Sequence, residues 1–457
     1  MGRREPRNRV RLVRVSIAAA LLAAVLAAYG GPGRSSSASS TTAGGNGSTA
    51  PGVGVTPTEV KVGIALVDFN CIKSFTDSIR ENQDQVYQSF IDDINAKGAL
   101  AGRKLVPVYD SYCPIGTAGP LSVCTKFTED DKVFAVIGTF IDFSGDAQTC
   151  VAKQHQRVLM TFNLTQAILK ANPPGLIVYP GATNERTATV LLNLLGKQHT
   201  LKGKKVAVLG DSTIASTLSG TIEPAVKKLG VATGTTGILS VSGSDTSAAL
   251  TQLASFIERW KSEQVNALFL SGDTVSSKQF VAAIRSAMPK VLLLTDTTDV
   301  LSSAKDDTTA GIKPNPYEGI TSAAGPTPPE YDKSANWAYC AAIYQKYTGK
   351  RAPSAEEVIR APGGKTLDTN GSINDACQVM TMFHDIATRV GKDLNNTNWI
   401  NTVNRFGAIT NRGGGPYASL HKGKYDIDDS FRLQAYDSSI PPAGNWKPLG
   451  PLQNVPR

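Results

Sequence analysis

Two series of short apolar runs, separated by amphipathic stretches, organise the chain. The first comprises VKVGIAL (60–66), KLVPVY (104–109), VFAVIG (133–138) and VLMTF (158–162). The second comprises KVAVLGD (205–211), GILSVS (237–242), ALFLSGD (267–273) and VLLLTD (291–296). Unbroken β-branched runs of this length suit strands buried on both faces of a parallel sheet. Helical periodicity fills the gaps. In 79–97, Val86, Tyr87, Phe90, Ile91 and Ile94 share one face, and Gly98 suits the left-handed residue that follows a last turn. Further helices are predicted near 119–131, 145–156, 184–196, 214–229, 246–262, 275–287, 330–348 and 372–391. The segments GRKLVPVYDS and GKKVAVLGDS open the two series with one shared pattern. The prediction is an α/β chain of two doubly wound parallel-sheet lobes with a cleft between them. GKRAPSAEEVIRAPGGKTLDTNGS is expected to be loop-rich, and the tail from PPAGNWKPLGPLQNVPR irregular.

The first residues change the picture. Residues 1–14 hold six arginines and one acid, Glu5, and VSIAAALLAAVLAA follows (15–28). That apolar run is short of the roughly 20 residues that span a bilayer. Basic head, short apolar middle and small residues at its end read as an export signal, residues 1–28. Tyr29 stands where a lipoprotein signal would carry its acylated cysteine, so a lipid anchor is unsupported. Residues 29–57, nearly all Gly, Ser, Thr, Ala and Pro, read as a flexible linker.

Composition then narrows the class. The chain carries +9, of which the leader supplies six positive charges and one negative, leaving +4 over roughly 430 residues. That balance gives no reason to expect nucleic acid as a partner. No later segment is apolar for 18 residues. Six cysteines, an even number in an exported chain, favour disulfides. Histidine is scarce and CxxC is absent, so neither a metal site nor a cofactor is expected. GxSxG, HExxH and P-loop patterns are also absent, which argues against an enzyme.

The stretch FIDDINAKGALAGRKLVPVYDS (90–111) resembles the type I periplasmic binding proteins, in the leucine/isoleucine/valine-binding branch of ABC-transporter receptors. VFAVIGTF, RVLMTFN and GKKVAVLGDSTIASTLSGTIEPAVKKLG fit the same family's later strands. The resemblance spans about residues 58–400. It implies the type I periplasmic-binding-protein fold, with two lobes joined by a hinge: residues 58–178 and about 318–400 in lobe one, 179–317 and about 401–457 in lobe two. It also implies a monomeric, non-catalytic receptor that closes on a small-molecule ligand and delivers it to an ABC permease in the membrane. A ligand-sensing module that signals to a membrane partner is the alternative.

In open α/β sheets, ligands bind beyond the carboxyl ends of the strands. There the resemblance points to Thr139, Phe140 and Ser144 in GTFIDFSGDAQTC, then Asn163 and Thr165 in FNLTQ, as a grip for a ligand carboxylate; Asp68 and Asn70 are weaker candidates. Ser144 and Thr165 could equally be helix caps. In lobe two, Asp211, Asp273 and Asp296 end strands and would face an ammonium group, although Asp at strand ends also serves only as a cap. The aromatic residues usual in amino-acid binders are missing from GDSTIAS, SGDTVSS and TDTTDV, so a polar, polyhydroxylated or cationic ligand is as credible as a branched-chain amino acid. Laid on the family's fold, the cysteines are expected to pair as Cys71–Cys113, Cys124–Cys150 and Cys340–Cys377.

Overall fold

Burial follows the apolar runs. The computed structural model describes residues 50–72, 78–142, 144–162, 164–241, 246–298, 300–361 and 364–457; the leader, Tyr29 and most of the linker lie outside them. The first sheet holds β1 (Glu59–Val67), β2 (Lys104–Tyr112), β3 (Ala135–Gly138), β4 (Val158–Thr161) and β5 (Ile177–Val178). Their order is β2–β1–β3–β4–β5, and all pairs are parallel. β1 is buried along most of its length because it pairs on both sides and is covered on its faces. Gly138 ends β3 with φ +120°, and a Cβ there would stand 2.5 Å from the Ala65 carbonyl oxygen. Only glycine allows that close approach between neighbouring strands. Helix α1 (Gln83–Ala96) buries Val86, Tyr87, Phe90, Ile91 and Ile94, the face that the periodicity assigns to the core.

The second sheet contains β6 (Lys205–Asp211), β7 (Ala267–Leu270), β8 (Leu292–Thr295), β9 (Thr321–Ala324), β10 (Ser430–Asp437) and β11 (Asn445–Pro448). β6 to β9 are parallel; β10 then runs antiparallel to β9, and β11 antiparallel to β10. The tail is therefore not irregular. Trp446 is buried edge-on to Tyr436 and holds β11 to the sheet. Its two-residue apolar pattern is too short to stand out from the prolines around it.

The expected lobe boundaries move as well. β9 belongs to the second sheet, so the chain returns to the first lobe near Thr327 rather than 318. From there α-helices Ala335–Thr348 and Thr369–Val390 cover the first sheet, and Phe134, Phe383 and Trp399 form one aromatic group with centroids 5.6–6.5 Å apart. Ile409, Leu420, Tyr425 and Ile427 pack into that same core, so the last crossing falls after Ile427 rather than near 400.

Three crossings therefore join the lobes: 179–183, 324–327 and 427–430. The first and third pair with each other. Tyr179 N–H donates to the Tyr425 carbonyl (2.8 Å), and Ile427 N–H to that of Tyr179 (3.0 Å). Arg186, on helix α2 (Asn184–Lys197), is buried against Asp429 and lies 3.7 Å from Asp426. Buried Lys424 gives its protons to the Ser419, Asp426 and Ile427 carbonyls at 2.6–3.1 Å and pairs with Asp429. Burial, then the Arg186 charge, pulls the Lys424 pKa down to about 8. At the second crossing, Arg432 on β10 pairs with Glu330, which also caps its own short helix through Thr327.

The structure joins Cys71 to Cys113, Cys124 to Cys150 and Cys340 to Cys377, closing 42-, 26- and 37-residue separations. Non-reducing peptide mapping should return these three pairs; a Cys113–Cys124 peptide would contradict them. Loops of these lengths stabilise the chain by about 3–4 kcal/mol each in the chain-entropy account. Arg186→Ala leaves two buried carboxylates with less compensation and should lower unfolding free energy by about 3–5 kcal/mol in urea titration, whereas a loss below about 1 kcal/mol would remove Arg186 from this role.

Candidate functional site

The carboxyl ends of both sheets face the region of the crossings, and the two sides differ in kind. On the first lobe, the Thr139 carbonyl accepts from the Tyr112 hydroxyl at 2.9 Å. Phe140 is 0% exposed, edge-on to Tyr112 at 5.8 Å, and presents no surface to a ligand. Ser144 donates to Asp142 (2.7 Å), and its own oxygen accepts from Asp146 N–H (3.2 Å). Asp142, which the sequence reading passed over, is the group that satisfies this turn: its two oxygens accept from the N–H groups of Ser144 (3.0 Å) and Ala147 (2.8 Å). Thr165 caps the short helix Gln166–Ala171 by accepting from Ile168 N–H. Asn163 lies outside the described residues. Asp68 accepts from Asn70 N–H, and both line a separate recess of about 990 Å³ on the first lobe.

A second unforeseen carboxylate completes this side. Glu185, 4% exposed in the first turn of α2, accepts from Gln166 N–H with both oxygens at 3.1 Å and from the Thr217 hydroxyl at 3.2 Å. An acid in a first helical turn ordinarily serves its own helix dipole. That reading conceals a carboxylate that reaches from one lobe to a helix of the other.

The second lobe presents acids. Asp211 caps the turn after β6 by accepting from Thr213 N–H (2.8 Å) and hydroxyl (2.5 Å). Asp296, after β8, accepts from the Ser271 hydroxyl (2.6 Å) and Gly272 N–H (2.8 Å). Burial pushes the Asp296 pKa up to about 7, against those two hydrogen bonds, with Asp273 and Glu185 adding repulsion. Asp273, after β7, reaches solvent but is walled by protein; burial raises its pKa, a hydrogen bond with Thr297 opposes this, and Asp211 adds to it. Among the described residues, no lysine, arginine or histidine forms an ion pair with Asp211, Asp273, Asp296 or Glu185.

Asp273 and Asp296 open onto a cavity of about 350 Å³. The structure brings to it residues that sequence reasoning missed: Tyr179, Gly325 and Asp428, one from each crossing, and Gln434, Phe431 and Trp446 from β10 and β11. Burial pushes the Asp428 pKa up to about 6; Ser430 N–H and Arg186 oppose the shift, Asp429 reinforces it, and Lys424 opposes it. Gln434 is 1% exposed and its amide oxygen has no partner. The clue available in sequence was YDIDDSFRLQAY, where acids interrupt an apolar stretch. The first-lobe candidates Thr139, Phe140, Ser144 and Thr165 do not line this cavity. Cys124, Cys150 and His155 come within metal-ligand spacing, but both sulfurs are held in the disulfide.

A family model of periplasmic binding proteins matches residues 74–359. The chain belongs to this family. Solved structures share the binding protein's fold at low identity. A solute-binding protein of an ABC transporter from Rhodopseudomonas palustris BisB5, in complex with 3,4-dihydroxybenzoic acid, is 14% identical with a TM-score of 0.61, over 87% of this chain and 98% of its own. A fatty acid ABC transporter substrate-binding protein from Thermomonospora curvata is 16% identical, TM-score 0.61, over 89% and 95%. A leucine-binding protein from Thermotoga maritima MSB8 is 12% identical, TM-score 0.60, over 86% and 99%. No curated protein matches the chain in sequence. No helix among the described residues of this binding protein is long and apolar enough to cross a membrane.

The raised pKa of Asp296 fixes a pH dependence. In the unfolded chain the carboxyl ionises near its ordinary value of 3.8; in the folded chain it holds its proton to about 7. Its contribution to stability is therefore present below pH 3.8 and lost as pH rises to 7, by about 4 kcal/mol at most. Asp296→Asn stays neutral throughout. It should melt close to wild type at pH 4 and several degrees higher at pH 8 in ligand-free protein. Equal melting temperatures at pH 8 would show that Asp296 is not held neutral by burial.

Proposed function

We propose that this chain is an extracytoplasmic solute receptor that captures a small polar ligand between its lobes and hands it to an ABC permease. The cavity carries the reading: it is lined by residues from all three crossings together with two strand-end acids, so a ligand there touches every segment about which the lobes would turn. Membership of a family of binding proteins supports a receptor rather than an enzyme. Three disulfides suit an oxidising compartment, in keeping with the basic and apolar leader.

The ligands named for the similar structures, 3,4-dihydroxybenzoic acid and leucine, each carry a carboxyl group. An amino acid or a related compound is the family-based expectation for this chain. A thermal-shift screen of the full chain against amino acids, amines, amides, sugars and aromatic acids tests the receptor reading. A ligand at one hundred times its dissociation constant should add about 2.7 kcal/mol to stability. A folded protein that no class of small solute stabilises would count against a receptor.

A further inference from the structure

We propose, resting on the receptor reading, that the cleft selects a small organic cation that carries no carboxylate. Two independent features lead there. The first is what already occupies the anion-favouring positions. Free backbone N–H groups at a turn or helix start are natural seats for a carboxylate. On the first lobe the chain fills two such positions itself. Asp142 takes the N–H groups of Ser144 and Ala147, and Glu185 takes that of Gln166 with both oxygens. An incoming carboxylate would have to displace a resident one that is more than nine-tenths buried in each case. It would also meet the remaining acids at close range, where the low local dielectric magnifies repulsion.

The second feature is the surplus of acceptors around the cavity. Asp273, Asp296 and Asp428 line it, and Gln434 adds a buried amide whose oxygen is unpartnered. The Gln434 oxygen, a buried acceptor without a donor, costs stability unless something donates to it. Arg186 and Lys424 are the cations that act on Asp428, and both are spent on Asp426, Asp429 and backbone carbonyls. Asp273 and Asp296 have no such partner. Trp446 lines the cavity as an aromatic wall of the kind that attracts organic cations, while the Phe431 ring is already covered by Arg186.

A metal ion fits less well. Among the described residues no three carboxylates converge at metal-ligand spacing. Dispersed charge on aromatic and amide walls suits an amine, amidine or quaternary ammonium compound of modest size, which a cavity of about 350 Å³ admits.

The test uses matched probes on the purified full chain: agmatine against arginine, 3-methylbutylamine against leucine, with choline, 4-hydroxybenzoate, glucose and calcium alongside, read by calorimetry at pH 8. At least one amine or choline should bind at least tenfold tighter than its carboxylate-bearing partner or than 4-hydroxybenzoate. Asp273→Asn, at an exposed position that leaves packing intact, should weaken that binding tenfold or more. Leucine, arginine or hydroxybenzoate binding more tightly than the amines would overturn the cation assignment and leave the receptor reading standing. So would glucose or calcium binding alone, or an Asp273→Asn protein of undiminished affinity. No binding by any probe class would overturn both.

Discussion

The buried ionic knot at the first and third crossings is the constraint on which the rest depends. Arg186 and Lys424 bring two positive charges against Asp426 and Asp429, with Asp428 at the edge. Ions removed from water are tolerated only when paired and fully hydrogen-bonded. Lys424 meets that condition with three carbonyls; one Asp426 oxygen accepts from Thr183 N–H at 3.4 Å and from Gln166 at 3.3 Å, while the other accepts no hydrogen bond and has only Arg186 at 3.7 Å. The knot fixes where the chain leaves one sheet and enters the other. Once that is set, β9 and β10 must lie beside each other, and the strand ends carrying Asp273 and Asp296 must face the crossings. Apolar burial makes each lobe; this polar cluster decides how the two share a chain.

Much of this was readable in sequence wherever one period ruled a stretch. The face of α1 and the parallel strands at 60–66, 205–211 and 267–270 follow from unbroken apolar runs and 3.6-residue spacing. β9, β10 and β11 were not legible, because TSAA is short and small, SFRLQAYD mixes polar residues with apolar ones, and NWKP is ringed by proline and glycine. Those strands gain stability from their neighbours, β9 and β10 across about 110 residues, rather than from their own pattern. The lobe boundaries shifted for the same reason.

The site was half legible. Strand-end aspartates announce themselves by position, and Asp273 and Asp296 do meet at one cavity. What position could not convey was traffic between lobes. Glu185 reads as a helix-dipole acid and Asp142 as a loop residue, yet each satisfies N–H groups that would otherwise be open to a ligand. Ser144 and Thr165 turn to local partners in the same turns. Whether a polar side chain is available depends on who reaches it first, and that is decided by tertiary contacts a linear reading does not contain.

The acids of the second lobe then connect stability with binding. Asp296 sits neutral until about pH 7 because nothing cationic compensates it and burial penalises its charge. A protein selected for stability alone would place a lysine there or an apolar residue. Keeping the acid uncompensated makes the ligand-free cleft less stable above neutral pH than it could be, and a positive ligand group would reverse that penalty on arrival. Because Tyr179, Gly325 and Asp428 border the same cavity, charge neutralisation by such a ligand would act against all three crossings at once. A ligand can shift a conformational equilibrium only by its differential interaction with the two states. A cation that relieves repulsion between carboxylates only when the lobes draw together supplies such a difference, so recognition and closure would draw on the same electrostatic term.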